Sequence, residues 1–206
     1  EFYGETKSTP AADDFGSLDI YERMIMNMRT KPVYLILENG KVFRGRSFGY
    51  EAEAMGELVF TTSMSGYLET LTDPSFLGQV VIQTFPLIGN YGVIPSDFEC
   101  KDIALAAYIV RDICQEPSNF RSEGALDVFL KEHKVVGVSD IDTRALTRIV
   151  REVGVMNAKI TYSLPEQLDE TLSELHGYVI RDAVERVTCK QPEIMTPEDK
   201  KYRFGK

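Results

Sequence analysis

PVYLILENGKVFRGRSF, residues 32–48, holds two runs of strand-forming residues on either side of Asn39-Gly40. An Asn-Gly pair in this setting is the strongest short-range signal for a β-hairpin, because both residues tolerate the positive φ angles of a two-residue turn. The stretch therefore predicts strands at residues 33–37 and 41–48 joined by a tight turn. A β-rich domain begins here.

Short β-rich runs separated by glycine and proline continue along the chain. Further strands are predicted at residues 57–62, 79–85, 103–110, 135–138 and 156–160. Strands come first as a run and later alternate with helices, which favours a sheet-dominated α/β domain with mixed strand directions.

Three helices are predicted from capping residues and from apolar residues that recur on one face. Ser122 is expected to cap a helix that ends at His133. Asp142 or Thr143 caps a second helix, which Gly154 ends, and its solvent face carries arginines. The capping box Ser163-x-x-Glu166 starts a third helix, which stops at Gly177, in a helical segment at residues 163–187.

The composition predicts one soluble core, since 43% of the 206 residues are hydrophobic and 27% are charged. A formal net charge of −9 argues against nucleic-acid binding, and the apolar runs are too short to cross a membrane. Cys100, Cys114 and Cys189 lack paired spacing, which indicates neither a disulfide framework nor a zinc site. We expect a cytoplasmic protein.

Residues 1–31 and 188–206 differ in character from the domain between them. The first segment is polar and aperiodic, so we interpret it as an N-terminal extension, and a cloning origin is considered for Glu1-Phe2. The second is charged and punctuated by proline, as is typical of an interdomain linker. We expect the natural chain to continue beyond Lys206 into another domain.

Residues 63–75, SMSGYLETLTDPS, are the densest polar segment, and we interpret them as a connection between two strands. Thr72-Asp73-Pro74-Ser75 is good turn chemistry, because proline presets φ and the Asp and Ser side chains bond nearby backbone amides. A structural turn and a ligand-contacting loop both remain open.

Residues 85–92, FPLIGNYG, form a second loop after a predicted central strand. Its glycines permit close backbone approach. The loop lacks the lysine and the Ser/Thr of a phosphate-binding loop, so we interpret it as a turn at a strand end.

An Asp-x-Asp-x-Thr turn follows an apolar strand in residues 135–144, VVGVSDIDTR. Aspartyl phosphatases open with such a turn, in which one aspartate is the nucleophile beside a magnesium ion. The simpler alternative is that Asp140 and Asp142 serve as turn and cap residues. None of the cysteines lies in a Gly-x-Cys-x-Gly elbow, so the chain alone is not expected to hydrolyse an amide.

Several of these segments occur in order and together resemble one family. They are LENGKVFRG (37–45), GELVFTTS (56–63), SGYLETLTDPS (65–75), PLIGNYG (86–92) and DIDTRALTR (140–148). They are similar to the N-terminal domain of the carbamoyl phosphate synthetase small subunit, with the resemblance covering residues 33–162 and the domain placed at 32–162.

The resemblance implies a three-layer β/β/α domain of the swivelling type, followed by a class I glutamine amidotransferase domain that is absent here. That second domain would hydrolyse glutamine to ammonia for a large subunit. The large subunit would use bicarbonate, ATP and magnesium to make carbamoyl phosphate for pyrimidine or arginine synthesis. No cofactor is implied for this domain.

Ser75 matches the family's serine that reaches across the domain interface to the bound glutamine. The resemblance assigns five further positions only to shaping that interface: Gly66, Tyr67, Asp73, Pro74 and Asn90. A domain that serves only as a scaffold, with Ser75 as a plain turn residue, is the alternative.

Overall fold

The computed structural model describes residues 30–191 of the chain. Almost all of the predicted extension at residues 1–31 and most of the predicted linker at 188–206 lie outside the described residues. Residues 30–191 form nine strands, five α-helices and two short 3-10 helices.

Most strands belong to one sheet that closes on itself. The strands are β1 (Pro32–Leu37), β2 (Val42–Gly49), β3 (Ala54–Thr61), β4 (Gln79–Gln83), β5 (Leu87–Ile88), β6 (Ala107–Ile109), β7 (Asp112–Ile113), β8 (Val136–Ser139) and β9 (Met156–Thr161). Seven form a barrel in the order β1-β2-β8-β6-β4-β3-β9, which the antiparallel pairing of β9 with β1 closes. β5 and β7 form a separate two-stranded parallel sheet.

The hairpin predicted from Asn39-Gly40 is confirmed. β1 and β2 pair antiparallel with Leu35 opposite Phe43. Gly40 has a φ of 81°, and the Asn39 side chain accepts a hydrogen bond from the backbone N–H of Lys41 at 3.1 Å. Local turn chemistry therefore sets the register of these two strands.

The barrel combines both strand directions. β3, β4, β6 and β8 are parallel neighbours, whereas β1, β2 and β9 pair antiparallel. The predicted α/β class with mixed strand directions is thus confirmed. The finer description, three β/β/α layers, does not match a single sheet that closes into a barrel.

Two apolar cores lie on the two faces of the sheet. One cluster combines buried residues from six of the seven barrel strands with Leu146 and Val150, and the partly buried Phe43 of β2 packs against it, so it fills the barrel interior. The other contains Val81 and Tyr108, which point away from the first cluster on alternate strand positions, together with Leu126. Central strands buried on both faces explain the nearly continuous apolar runs in the sequence.

The α-helices are α1 (Tyr67–Thr72), α2 (Leu126–Glu132), α3 (Thr143–Val153), α4 (Asp169–Gly177) and α5 (Ala183–Val187). For α3 the prediction is confirmed at both ends. The Asp142 carboxylate accepts a hydrogen bond from the N–H of Ala145 at 3.0 Å, and Gly154 has a φ of 97° where the helix ends.

Two predicted helix starts are wrong. Ser122 does not cap α2, which begins only at Leu126, because Ser122 belongs to a turn and its hydroxyl donates to the carbonyl of Gly124 at 3.2 Å. Ser163 does not start α4, because its backbone is tied to Thr161 at the end of β9. That helix begins six residues later, at Asp169.

Some strand and loop predictions also change. β4 ends at Gln83, because its partner β3 ends opposite it at Thr61, so the predicted strand at 79–85 is shorter. The strand predicted at 103–110 pairs only over Ala107–Ile109. Residues 63–75, predicted as a plain connection, contain α1 and a 3-10 helix at Pro74–Phe76.

Candidate functional site

A rigid turn presents Ser75 to the surface. The Asp73 carboxylate accepts a hydrogen bond from the N–H of Ser75 at 2.8 Å, and the carbonyls of Asp73 and Pro74 accept from Phe76 and Leu77, each at 3.2 Å. Ser75 itself is exposed, and its hydroxyl has no hydrogen-bond partner among residues 30–191. The turn therefore offers an unused donor and acceptor in a fixed position.

Two open grooves flank this turn. The Ser75 groove has a volume of about 410 Å³. It is lined by Glu38, Glu57, Ser75, Leu77, Gln79, Val155, Met156, Asn157, Tyr178, Val179, Ile180 and Ala183. The Gly66 groove, of about 720 Å³, is lined by Thr61, Ser63, Ser65, Gly66, Glu69, Thr70, Asp73, Pro74, Phe76 and Glu99. The turn from Asp73 to Phe76 separates the two.

The polar groups around Ser75 mostly satisfy one another. Gln79 donates to the Glu57 carboxylate at 2.8 Å, and the Asn157 amide donates to the carbonyls of Leu175 and Tyr178 at 2.8 and 3.1 Å. The Gln79 bond joins β4 to β3, and the two Asn157 bonds hold β9 against the end of α4 and the residue that follows it. Ser75 is thus the polar group of this groove best placed to bind something outside the domain.

A pair of tyrosines supports the start of α1. The Tyr91 hydroxyl accepts hydrogen bonds from the N–H groups of Gly66 and Tyr67, both at 3.0 Å. The two rings stack with centroids 4.0 Å apart, and the Tyr67 hydroxyl donates to the carbonyl of Gly92 at 2.6 Å. Gly66 takes a φ of 80°, which L-residues rarely adopt.

The six residues singled out from the sequence do not form one cluster. Ser75 lies in one groove, whereas Gly66, Asp73 and Pro74 line the other. Tyr67 is buried with only 2% of its surface exposed, so it acts by holding the backbone. Asn90 is exposed and lines neither groove, and its carbonyl accepts from Ser118 at 3.0 Å.

The sequence motifs did not predict a buried polar network that lies beneath the Gly66 groove. The Gln83 side chain, fully buried, donates to the carbonyl of Ser63 at 2.7 Å and accepts from the Tyr108 hydroxyl at 3.1 Å. The available signal was a glutamine that follows three apolar residues at the buried end of strand QVVIQ. In the same region, Oε2 of Glu69 is buried and has no hydrogen-bond partner among residues 30–191.

Burial raises the pKa of three tyrosines in this region. The pKa values of Tyr67, Tyr91 and Tyr108 all lie above the ordinary value of about 10, since the phenolate would lose its hydration. For Tyr67 the neighbouring Tyr91 adds to the rise. Above about pH 10, the folded chain therefore keeps protons on these tyrosines that the unfolded chain releases.

We expect stability to fall at alkaline pH for this reason. A raised folded-state pKa contributes stability that is complete below about pH 10 and is lost as the pH rises through the folded-state value. Urea unfolding between pH 9 and 11 should show this loss, and Tyr67→Phe should reduce its slope. An equal slope in both proteins would contradict the assignment.

The Asp-x-Asp turn serves a structural purpose. Asp142 caps α3, and Asp140, with a φ of 54°, lies 3.5 Å from the Arg46 side chain. Among the described residues, no group of three or more His, Cys, Asp and Glu side chains is arranged to hold a metal ion. These contacts support the cap interpretation over the phosphatase one.

The three cysteines are free thiols. Within residues 30–191, no helix has both the length and the apolar character that a membrane span requires.

Fold and site together define a mixed α/β barrel domain that presents one hydroxyl-bearing turn between two open grooves. Residues 35–160 match the family model for the carbamoyl-phosphate synthase small chain, CPSase domain. The chain belongs to this family, as its sequence motifs predicted.

Curated relatives agree with this membership. The chain is 47% identical over 167 residues to the carbamoyl phosphate synthase small chain of Clostridium perfringens, covering 81% of this chain and 48% of the relative. It is 47% identical over 161 residues to that of Syntrophotalea carbinolica, covering 77% and 43%. The Chlorobaculum tepidum protein is 44% identical over 177 residues, covering 85% and 48%. The chain thus spans about half the length of these relatives.

Among solved structures, the chain is similar to an aminopeptidase from Aneurinibacillus sp. strain AM-1. The TM-score is 0.35 with 13% sequence identity, over 73% of this chain and 39% of the aminopeptidase. A TM-score at this level does not establish a shared fold.

Proposed function

We propose that this chain is the N-terminal domain of a carbamoyl phosphate synthase small chain whose remaining half hydrolyses glutamine. The ammonia released would pass to a large chain, which makes carbamoyl phosphate from bicarbonate and ATP. The family match over residues 35–160 is the observation that carries this proposal. A cytoplasmic location and a supply of carbamoyl phosphate to pyrimidine or arginine synthesis belong to the same proposal.

Within that enzyme the domain completes the glutamine site from outside. Ser75 supplies a hydroxyl on a turn fixed by Asp73 and Pro74, and nothing in the described chain occupies that hydroxyl. A hydroxyl can donate to the carboxylate or amide oxygen of glutamine and accept from its amino group. The Ser75 groove is the surface against which the glutaminase half would pack.

The domain contributes to glutamine hydrolysis by holding the Ser75 hydroxyl in a fixed position. The described cysteines lie outside any nucleophile elbow, so amide hydrolysis would depend on groups in the other half of the small chain. A contact fixed before the substrate arrives lowers the entropy lost on binding. The Asp73–Ser75 hydrogen bond provides this fixation.

Replacement of Ser75 by alanine tests the contact. In the full-length small chain assembled with its large chain, we expect the KM for glutamine to rise about 10-fold, as for the loss of one substrate hydrogen bond. Synthesis driven by added ammonia should be unchanged, because it bypasses the glutamine site.

Ser65→Ala is the matched control, since Ser65 is another exposed hydroxyl but lines the Gly66 groove. It should leave glutamine kinetics within about 2-fold of the unaltered enzyme, a difference of roughly 0.4 kcal/mol. If Ser75→Ala also leaves the glutamine KM unchanged while assembly is intact, the domain is a scaffold without substrate contact.

A further inference from the structure

The turn that carries Ser75 is attached at both of its ends to one neighbouring segment, residues 99–104. Before the turn, the Thr72 hydroxyl accepts a hydrogen bond from the N–H of Glu99 at 2.9 Å. After the turn, the N–H of Gly78 donates to the carbonyl of Ala104 at 3.0 Å. Because each bond joins residues that are distant in the chain, the two bonds locate the turn relative to the rest of the domain.

The hydrogen bonds inside the turn set its shape but not its location. The side chain and the carbonyl of Asp73 accept from the N–H groups of Ser75 and Phe76. Such local bonds would survive a movement of the whole turn. A serine side chain has a single torsion before its oxygen, so the location of the backbone decides which positions the Ser75 Oγ can reach.

Thr72 makes the bond at the first end of the turn from a buried position. It is the last residue of α1, is fully buried, and lines neither groove. Its hydroxyl donates to the carbonyl of Leu68 at 2.7 Å while it accepts from Glu99. The bond to Leu68 is an ordinary one within a helix. The bond to Glu99 instead spans 27 residues and ties the end of α1 to another part of the chain.

We propose that Thr72 is a positioning residue for the contact between Ser75 and glutamine. Its hydroxyl fixes the end of α1 against residue 99, and the Ser75 turn begins at the next residue, Asp73. This inference rests on the proposed function, which supplies glutamine as the molecule that Ser75 contacts. Displacement of a contacting group by about 1 Å can cost about 100-fold in rate. Thr72 therefore influences glutamine binding through Ser75, without touching the substrate.

Thr72→Val tests the proposal, because valine keeps the branched shape of threonine and lacks the hydroxyl. In the full-length small chain assembled with its large chain, the KM for glutamine should rise about 5-fold, whereas synthesis driven by added ammonia should be unchanged. An equal loss of glutamine-driven and ammonia-driven synthesis would make Thr72 a structural residue only and would overturn the proposal.

Thr72→Ser is the rescue variant, since serine keeps the hydroxyl that bonds to Glu99. Its KM for glutamine should lie within about 2-fold of that of the unaltered enzyme. A KM as high as that of Thr72→Val would mean that the threonine methyl group, and not the hydroxyl, is responsible for the effect, and the proposal would be wrong.

Thr70→Val is the matched control on the same helix. Thr70 is also buried, and its hydroxyl donates to the carbonyl of Gly66 at 3.2 Å, a bond that does not reach residues 99–104. The KM for glutamine should stay within about 2-fold of the unaltered value. A rise equal to that of Thr72→Val would indicate a general loosening of α1 and would contradict the specific role of Thr72.

Combining Thr72→Val with Ser75→Ala separates the possible failures. If Thr72 acts through Ser75, the double variant should have the same KM for glutamine as Ser75→Ala alone. If the two effects multiply, Thr72 acts by another route and the positioning role is wrong. If Ser75→Ala raises the KM and Thr72→Val does not, the positioning role is wrong while the proposed glutamine contact stands. If Ser75→Ala itself leaves the KM unchanged, the proposed contact and the positioning role are both wrong.

Discussion

Replacing Gly56 with alanine is expected to lower the free energy of unfolding of this chain by about 3 kcal/mol, the upper part of the range for overpacking. A Cβ atom at Gly56 would overlap the carbonyl oxygen of Gly78 and would lie 3.1 Å from Val80 and 3.2 Å from Ala106. Because the nearest of these atoms is backbone, relief requires movement of the chain between the Ser75 turn and β4.

Gly177→Ala is the matched control, because no atom lies within 4 Å of a Cβ built there. Gly177 is also the last residue of α4, where alanine favours the helix. Gly56→Ala should therefore lower the urea midpoint of unfolding, whereas Gly177→Ala should leave the midpoint unchanged or raise it. Equal midpoints would contradict the close packing of β3 against residue 78.

Replacing Gln83 with alanine is expected to destabilise the chain by about 3 kcal/mol, since a buried hydroxyl and a partly buried carbonyl lose their partners and a cavity remains. The Tyr108 hydroxyl loses its acceptor, and the carbonyl of Ser63 loses its donor. Tyr108 is itself fully buried, so its hydroxyl has no route to water. Amide hydrogen exchange at residues 63–66 should also become faster.

Gln79→Ala provides the comparison within the same strand. Gln79 is only partly buried and bonds to the Glu57 carboxylate at 2.8 Å, so its loss should cost less than about 1 kcal/mol. In addition, Tyr108→Phe should be less harmful in a Gln83→Leu background than in the unaltered chain, because the hydroxyl is then already unpartnered. If Gln83→Ala costs no more than Gln79→Ala, the buried network is not stabilising.

Local chemistry accounts for the parts of the fold that the sequence predicted well. Asn39-Gly40 fixes its hairpin through a turn that needs only neighbouring residues. Asp142 and Gly154 bound α3 in the same way. The turn that carries Ser75 was also predictable, because Asp73 and Pro74 act on the backbone within two residues.

Contacts between distant residues account for the rest. Closure of the barrel depends on pairing of β1 with β9, which are more than 100 residues apart. The Gln83–Tyr108 bond spans 25 residues, and the Ser75 groove needs β9 and the segment near Ala183. Ser122 and Ser163 failed as helix starts because their capping groups are used in other local turns. Sequence spacing alone contains none of this information.

The contact proposed between the Ser75 hydroxyl and glutamine held by the other half of the small chain can be observed directly. A crystal structure of the full-length small chain with bound glutamine measures this contact directly. We predict that Oγ of Ser75 lies within about 2.6–3.2 Å of a glutamine nitrogen or oxygen, the range of a hydrogen bond. A glutamine bound with the Ser75 hydroxyl directed to solvent, and no hydrogen bond between them, would contradict the account.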